Sequence, residues 1–259
     1  MARLTAITRD VSPSLVDCQL THFERAPIDV EQARAQHAEY ERALERLGCM
    51  VIRLPAGADM PDSVFIEDIA IVFDEIAVIT RPGAPSRRPE IEDVAKLLSW
   101  HRPIVQIVEP ATLDGGDVLV VGRSVFVGQT TRTNDAGLGQ LRAAVASYGY
   151  SVVPASVRGC LHLKSAITAL DERTLLANRQ WIAEEEFAAF DLQDVDATEP
   201  TAANIVRVDN SLLYAAAFPR TLERLERRGY AVTSVDVSEI AKAEGAVTCC
   251  SLIFPSRSS

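Results

Sequence analysis

The sequence predicts an α/β fold built as a five-bladed propeller with pseudo-fivefold repeats, closed by the N-terminal strand. Two recurring phrases, and the even spacing of their copies, lead to this prediction. The first phrase is an amphipathic helix, a glycine and a short strand, and it appears around Gly48, Gly149 and Gly229. Glycine suits the end of a helix because it accepts a left-handed backbone.

Hydrophobic periodicity locates two of these helices. Apolar residues recur at about 3.6 positions, so that each set lies on one helix face. These faces carry Ala33, Tyr40, Leu44 and Leu47 in the first helix and Leu138, Leu141, Val145 and Tyr148 in the second.

The second phrase is a strand with one or two polar residues, a tight turn and a second strand. Its copies are VFIEDIAIVFDEIAVIT, LDGGDVLVVGRSVFVG, LHLKSAITALDERTLLAN, AANIVRVDNSLLYAA and CCSLIF. One polar residue marks each copy, and successive markers are 47, 48, 42 and 45 residues apart. The spacing predicts a repeat of strand, turn, strand, helix and strand in a single domain, residues 1–259. The markers are Glu67, Asp114, His162, Asn204 and Cys249.

The two ends of the chain complement each other. The last copy lacks its second strand, since the chain stops soon after Phe254, and the first residues, RLTAITRD, read as a strand without a partner. If the N-terminal strand completes the fifth unit, the array closes into a ring and loses its exposed edges. The helices would then cover the outside, and the first strand of each unit would bring the polar markers to the axis.

Composition excludes several functions. The chain is 47% hydrophobic and 24% charged, which is ordinary for a globular protein with a large core. Its 36 acidic and 26 basic residues argue against nucleic-acid binding, which needs a basic surface. No run approaches the roughly 18 apolar residues of a membrane span, and the N-terminus lacks a signal peptide. The five cysteines show no CxxC pair or metal-ligand spacing, which indicates reduced thiols and a cytoplasmic location.

The markers combine a thiol, an imidazole and carboxylates. A cysteine beside a histidine supplies a nucleophile with a proton-transfer partner. Carboxylates oppose formation of a thiolate, whereas a cationic substrate neutralises them and stabilises it. The set therefore fits a flat cation with an electrophilic carbon, such as a guanidinium group, whose N–H groups carboxylates bind in bidentate fashion.

Strand alternation leaves two assignments open. It directs Cys249 and Cys250 to opposite faces, without deciding which of them points to the centre. It separates Glu67 and Asp68 in the same way, so that one of these carboxylates is free to hold a neighbouring loop through backbone N–H groups. Gly116 and its neighbour Gly115 suit a bulge or a close approach of backbone to a ligand.

Several motifs resemble those of the dimethylarginine dimethylaminohydrolases, members of the guanidine-modifying pentein superfamily. The resemblance runs over nearly the whole chain and rests on DSVFIEDIAIV, ITRPGAPSRR, LDGGDVL, FVGQTTRTN, LHLKS and GAVTCCS. Penteins are five-bladed α/β propellers, in agreement with the repeat. The resemblance implies hydrolysis of asymmetric dimethylarginine or monomethylarginine to citrulline and dimethylamine or methylamine. It further implies a covalent thiouronium on a cysteine, and no metal or organic cofactor.

The resemblance also implies the site residues. Cys249 would be the nucleophile, His162 the general acid and base, and Asp114 would orient His162 or bind the guanidinium. Cys250 would remain in the core. The residues implied in substrate binding are Asp62, Glu67 and Asp68 in the guanidinium pocket, Arg87 and Arg132 at the α-carboxylate, Leu20 on the lid, and the backbone of Ala243 and Glu244 at the α-amino end.

One stretch departs from the family pattern. The family usually has Val-Asp-Gly before the cysteine motif, and this chain has Ala243, Glu244 and Gly245. A backbone contact survives that change, whereas a side-chain contact stays open.

Two alternative functions remain at this point. Another pentein hydrolase or amidinotransferase, acting on arginine or agmatine, would share the chemistry, although those families are generally longer. A non-catalytic propeller used as a binding module would share the architecture but lack the Cys, His and acid set. The expected partner is a small molecule, with no nucleic acid and no membrane, and a homodimer is left open. Zinc held by His162 and Cys249 would be inhibitory rather than structural.

Overall fold

The computed structural model describes residues 3–256, so that the ends of the predicted domain, residues 1–2 and 257–259, lie outside it. The strands of the described part form five sheets of three strands each. They are β1 (Leu4–Arg9), β2 (Cys49–Leu54), β3 (Ala70–Val72), β4 (Ala77–Ile79), β5 (Ile104–Gln106), β6 (Val118–Val121), β7 (Ser124–Gln129), β8 (Ser151–Ser156), β9 (Ile167–Ala169), β10 (Thr174–Ala177), β11 (Asp191–Asp194), β12 (Ile205–Val208), β13 (Ser211–Ala215), β14 (Ala231–Val235) and β15 (Leu252–Pro255).

All five sheets share one pairing pattern. A first strand runs antiparallel to the middle strand, and the middle strand runs parallel to the third. Four sheets contain three successive strands of the chain, whereas the remaining sheet has the order β15-β1-β2. There β1 lies antiparallel to β15, with Leu4 opposite Pro255 and Ile7 opposite Leu252. The predicted N-terminal strand and its pairing with the last unit are confirmed.

Helices connect the middle and third strands of most sheets. Gly48, Gly149 and Gly229 follow three of these helical segments with φ angles of 97°, 78° and 88°, so the predicted glycine stops are confirmed. No helix within residues 3–256 is long and apolar enough to cross a membrane. The helices are α1 (Val30–Arg46), α2 (Ile91–Leu98), α3 (Asp135–Val145), α4 (Leu163–Ala166), α5 (Pro219–Arg227) and α6 (Ser238–Ala241).

The prediction of a helix in every unit is wrong for the third unit. Between β10 and β11 the chain forms two 3-10 turns, Arg179–Trp181 and Glu184–Phe187. The Asn178 side chain accepts a hydrogen bond from the Gln180 backbone N–H at 3.1 Å. Such a local contact favours a turn over a continuous helix. Leu47 also lies beyond the end of α1 rather than within its helical face.

The polar markers lie in short turns directly before the first strands, and their predicted place inside those strands is wrong. Turns Ile66–Ile69 and Thr248–Cys250 carry the acidic pair and the cysteine pair, and Gly115–Asp117 follows Asp114. His162 caps the short helix α4 before β9. A turn directs successive side chains to several sides, so alternation along a strand does not separate Cys249 from its neighbour. It also keeps polar groups out of the apolar strands.

Apolar side chains are buried in clusters between pairs of sheets. One cluster joins Ile7 of β1 to Ala70 of β3, and similar clusters join each sheet to the next along the chain. A further cluster joins Leu213 of β13 to Ala6 of β1. The sheet of β12, β13 and β14 is therefore packed against the sheet of β15, β1 and β2.

Candidate active site

Asp68 lies at the centre of the acidic cluster. It is 4% exposed, and its Oδ2 accepts a hydrogen bond from Arg87 Nη1 at 2.5 Å. Its Oδ1 accepts from the Gly116 backbone N–H at 2.9 Å and lies 3.9 Å from His162 Nδ1. Burial opposes ionisation, but His162 and Arg87 outweigh it and lower the pKa of Asp68. Asp68 is therefore a carboxylate that both holds a loop and faces the histidine.

His162 is buried against three aspartates. Its Nε2 forms a hydrogen bond with Asp114 Oδ2 at 3.1 Å, and Asp114 Oδ1 accepts from the Gly83 backbone N–H at 2.8 Å. Burial would lower the pKa of His162, but Asp68, Asp117 and Asp114 raise it to about 9. The histidine is thus an imidazolium at neutral pH, and Asp114 is placed to orient it.

Asp117 is a buried acid that the sequence did not single out. Its carboxylate accepts from Thr130 Oγ1 at 2.6 Å, from Thr133 Oγ1 at 2.7 Å and from the Leu163 backbone N–H at 3.1 Å. Burial raises its pKa to about 6, although His162 and both threonines oppose that rise. Because Leu163 follows the histidine directly, this contact fixes the backbone that carries the imidazole. The sequence offered one signal for Asp117, because it is the second aspartate of the LDGGD motif.

Gly116 allows the acidic turn to approach the histidine. A Cβ atom added at this glycine would lie 2.6 Å from His162 Nδ1 and 2.8 Å from Asp68 Oδ1. Gly116 thus approaches side chains of the site and Gly115 the backbone oxygen of Glu67, whereas the predicted approach of these glycines to a ligand stays a prediction.

Glu67 belongs to a second network beside the first. Its Oε1 accepts from Lys164 Nζ at 2.5 Å, and its Oε2 accepts from Thr248 Oγ1 at 2.7 Å. Asn204 Nδ2 donates to the same threonine oxygen at 2.9 Å, and Asn204 Oδ1 accepts from the threonine N–H at 3.0 Å. These four residues come from four repeat units. The sequence marked Glu67 and Asn204, whereas Lys164 and Thr248 were missed because they lie beside the assigned markers.

The two cysteines have different surroundings. Cys250 is 1% exposed and packs in an apolar cluster, whereas Cys249 is partly exposed. The Ala246 backbone N–H donates to Cys249 Sγ at 3.4 Å. Burial, Glu67 and Asp68 raise the pKa of the Cys249 thiol to about 12. Without a cation beside it, this thiol is neutral, as the acidic surroundings predict.

Asp68 is a common electrostatic neighbour of the thiol and the imidazole. It raises the pKa of Cys249, and it also raises the pKa of His162. Turns from the first, third and fifth units therefore meet at one place, although Asp68 and Cys249 are 181 residues apart.

Arg87 is engaged within the protein. It is 4% exposed, and its Nε donates to Glu90 at 3.1 Å while its Nη1 donates to Asp68. Its Nη2 donates to the backbone oxygens of Phe65 at 2.9 Å and Asp62 at 3.2 Å. The predicted contact with the substrate α-carboxylate stays a prediction. In the observed contacts, Arg87 holds the Asp68 carboxylate in place.

Three of the predicted binding residues meet at residues 18–25, which we call the lid segment. Asp62 Oδ1 accepts from the Gln19 backbone N–H at 3.1 Å, and Arg132 Nη2 donates to Thr21 Oγ1 at 3.0 Å. Leu20, between these two contacts, is partly buried and packs against an apolar cluster. Burial raises the pKa of Asp62, whereas Arg87 and Arg132 oppose that rise.

Ala243 and Glu244 lie directly after α6. Their backbone N–H groups donate to Ile240 O at 3.0 Å and Ala241 O at 3.1 Å. Only their carbonyl oxygens are therefore available to an α-ammonium group. The Glu244 side chain, whose contact the sequence left open, accepts three hydrogen bonds from the lid segment.

A metal ion has one candidate set of ligands in the described part of the chain. Asp68, Asp114 and His162 each offer one ligand atom, and these atoms lie within 4.8 Å of one another. The set differs from the predicted pair of His162 and Cys249. The expectation of a reaction without a metal or an organic cofactor stays a prediction.

Known proteins resemble the chain over nearly its full length. No family model matches it. A dimethylarginine dimethylaminohydrolase from Streptomyces coelicolor is 41% identical over 249 residues, 95% of either chain. The Pseudomonas aeruginosa enzyme, solved as a C249S mutant complexed with citrulline, has a TM-score of 0.92 at 34% identity, covering 98% of this chain and 100% of that one. A dimethylarginine dimethylaminohydrolase H162G adduct with S-methyl-L-thiocitrulline has a TM-score of 0.93 at 35% identity and the same coverage. The fold is of the α/β pentein type, and the chain belongs to the dimethylarginine dimethylaminohydrolase family.

Proposed function

We propose that the protein hydrolyses N-ω-methylated arginine, either asymmetric dimethylarginine or monomethylarginine, to citrulline and dimethylamine or methylamine. One observation carries the proposal, namely that the segments holding Cys249 and His162 meet at the turn of Glu67 and Asp68. Thr248 Oγ1 donates to Glu67 Oε2 at 2.7 Å, and Asp68 Oδ1 lies 3.9 Å from His162 Nδ1. The family relatives add support, since one of them binds citrulline and another forms an adduct with a thiocitrulline.

We further propose that the five sheets form a closed five-bladed propeller with this site on its axis. The pairing of β1 with both β15 and β2 supports closure. So does the cluster that packs Leu213 against Ala6, because it links the fourth unit to the sheet at the chain ends. In this arrangement the turns before the first strands point towards one another, and residues 1–259 form one catalytic domain.

One end of the site carries carboxylates, and the other end carries both a cationic and an acidic side chain. These charges complement an amino acid with a guanidinium tail. Asp68 and Glu67 supply buried carboxylates near the thiol for the guanidinium group, and Asp114 holds His162 beside them. Arg132 supplies a cation at the lid segment for the α-carboxylate. Asp62, with the carbonyl oxygens of Ala243 and Glu244, suits the α-ammonium group, and Leu20 covers this end.

Arg87 acts indirectly in this assignment. Its hydrogen bonds to Asp68 and Glu90 keep the Asp68 carboxylate ionised in a buried place. A direct contact between Arg87 and the α-carboxylate would need one of these bonds to be shared.

The first stage forms a covalent intermediate. The guanidinium cation lowers the pKa of Cys249, so that the thiol releases its proton to solvent and the sulfur adds to the central carbon. His162, which holds a proton because its pKa is about 9, donates that proton to the departing methylated amine. The C–N bond breaks, and a thiouronium remains on Cys249.

The second stage releases citrulline. Neutral His162 takes a proton from water, and the hydroxide adds to the thiouronium carbon. The C–S bond then breaks, which returns the thiolate, and the added hydroxyl group loses its proton to solvent, which leaves the urea group of citrulline. Asp114 keeps the imidazole in place through both proton transfers.

The remaining expectations are proposals of the same kind. The five free thiols suit a reducing, cytoplasmic location, and the acidic balance gives no basic surface for nucleic acid. The reaction as written uses no metal or organic cofactor, and a homodimer stays open. An arginine or agmatine deiminase would use the same centre but release ammonia. An experiment must therefore identify the amine that leaves.

A panel of guanidines tests the proposal. The purified protein is incubated with asymmetric dimethylarginine, monomethylarginine, arginine and agmatine, and ureido product and released amine are measured. We expect turnover of a methylated arginine. Cys249→Ser should lower kcat by at least about a thousandfold, or roughly 4 kcal/mol, because it removes the covalent nucleophile.

Cys250→Ser is the matched control, since it changes the neighbouring thiol. It should keep kcat within about threefold, although it lowers stability because a buried core residue gains a polar group. Turnover of arginine alone would replace the proposal with a deiminase. An active Cys249→Ser together with an inactive Cys250→Ser would reverse the assignment of the nucleophile.

A further inference from the structure

We propose that Glu244 is a positioning residue that anchors the lid segment over the amino-acid end of the substrate, an inference that rests on the proposed function. Its Oε1 accepts hydrogen bonds from three consecutive backbone N–H groups, those of Thr21, His22 and Phe23, at 2.9, 2.5 and 2.7 Å. One oxygen thus fixes a whole turn of chain more than two hundred residues away in sequence.

The backbone of Glu244 has an unfavourable conformation. Its φ angle is 58°, in the left-handed region that glycine adopts more readily. A residue other than glycine persists in this region only when surrounding contacts determine it. The other carboxylate oxygen, Oε2, is shut off from solvent and has no hydrogen-bond partner within the described residues. The negative charge is therefore directed towards the lid segment alone.

Besides a hydrogen bond from Gln19 Nε2 to Ser86 Oγ at 2.5 Å, two side chains other than Glu244 hold the lid segment. Asp62 accepts from Gln19, and Arg132 donates to Thr21, so both of these contacts use side chains that we assign to the substrate. When the α-ammonium and α-carboxylate bind, they compete for the same two side chains. Glu244 is assigned to the substrate through its carbonyl oxygen only, which leaves its carboxylate on the lid.

This division of contacts gives Glu244 its role. The outer part of the lid segment is otherwise weakly held, since residues 21–25 are exposed, whereas Cys18 is buried and Leu20 packs against an apolar cluster. Substrate binding at Asp62 and Arg132 would loosen it further unless another group held it. A carboxylate holding three N–H groups does so, because charged acceptors make hydrogen bonds about twice as strong as neutral ones.

Glu244→Gln is the sharpest test, because glutamine keeps the size and one carbonyl acceptor but removes the charge. We expect KM for asymmetric dimethylarginine to rise about tenfold, with kcat changed less than about threefold. Hydrogen exchange measured by mass spectrometry should show faster exchange at Thr21, His22 and Phe23. Glu244→Asp keeps the charge with a shorter reach, so its KM should lie between those of the wild type and the glutamine variant.

Glu239→Gln is the matched control. Glu239 lies on α6 and also accepts a backbone N–H from a distant residue, Asp29, at 2.9 Å, but Asp29 lies outside the lid segment. This variant should leave both KM and exchange in residues 21–23 unchanged.

The two proposals fail in distinguishable ways. If the wild type turns over no methylated arginine, the proposed function is wrong, while the exchange measurement still tests the anchor. If the wild type is active and Glu244→Gln changes neither KM nor exchange, Glu244 does not position the lid segment. A variant that only loses thermal stability, with unchanged KM, would also overturn the inference, because that result describes a purely structural residue.

Discussion

The acidic cluster around His162, which is the proposed catalytic centre, and the lid segment are held in different ways. At the centre, Asp68, Asp114 and His162 are almost completely buried, and each has hydrogen-bond partners from another repeat unit. In the lid segment, residues 21–25 are exposed, and they are joined to the rest of the protein mainly by the side chains of Arg132 and Glu244.

This difference in burial and hydrogen bonding predicts which part of the site is rigid and which part can move when a substrate binds. Charges in a buried network cannot be rearranged without leaving a partner unpaired, so the proposed centre keeps one arrangement of its charges. Contacts of exposed chain contribute little individually and open at small free-energy differences. Substitutions at the centre should therefore lower kcat and stability together, whereas substitutions at the lid segment should mainly raise KM.

Asp68→Asn should produce the largest effect, because it removes a buried charge that faces both Arg87 and His162. We expect kcat/KM to fall by about a thousandfold or more and the free energy of unfolding to fall by about 3–5 kcal/mol. Steady-state kinetics and denaturant unfolding measure the two quantities. Glu109→Gln, at the exposed partner of Arg81, should change the free energy of unfolding by less than about 0.5 kcal/mol.

If Asp68→Asn stays as stable as the wild type, the buried ion pair is not what holds the centre together. A variant that is less stable but fully active would show that Asp68 has a structural role only and does not bind the guanidinium group.

His162 should give an intermediate effect that depends on pH. Its pKa is about 9 in the folded protein and about 6.5 in an unfolded chain. A raised pKa stabilises the protonated folded state, so this contribution is fully present below about pH 6.5 and is lost as pH rises through about 9. The loss should amount to up to about 3 kcal/mol in the wild type.

His162→Gln should lack this dependence between about pH 6.5 and about pH 9. Cys249 affects both proteins from about pH 8 upward, since an unfolded thiol with a pKa of about 8.5 is partly ionised there while the folded thiol has a pKa of about 12, so the difference between the two proteins isolates the His162 contribution. Denaturant unfolding across the pH range measures the slope. The same slope in the variant would show that the imidazole is not held as a cation by the three aspartates.

The sequence predicted which segments lie together, because a repeat carries geometric information. Even spacing of Glu67, Asp114, His162 and Cys249 indicated that equivalent places of successive units meet, and the contacts through Asp68 agree with this. The pairing of the N-terminal strand with the last unit followed from the same counting.

The remaining parts could not be read from spacing. Short 3-10 turns have no hydrophobic period, so the markers were placed inside strands, and the partners Lys164, Thr248 and Asp117 were missed. The inward contacts of Arg87 depend on side-chain direction, which residue type alone does not give. The lid segment lies outside the repeat, and its contact with Glu244 joins residues whose distance in sequence carries no signal.

Arg132→Lys should produce the smallest effect and separates the two regions most directly. Lysine keeps the positive charge but loses the planar pair of donors that suits a carboxylate, so KM should rise about tenfold while kcat changes less than about threefold. Arg132 is only partly buried, and its loss should change the free energy of unfolding by less than about 0.5 kcal/mol. Arg46→Lys, at an exposed pair on α1, is the control with no expected change in KM. An unchanged KM in Arg132→Lys would move the α-carboxylate to Arg87, and binding of the amino-acid end would then disturb the Asp68 network. In that case the centre and the lid segment would respond to the substrate together rather than separately.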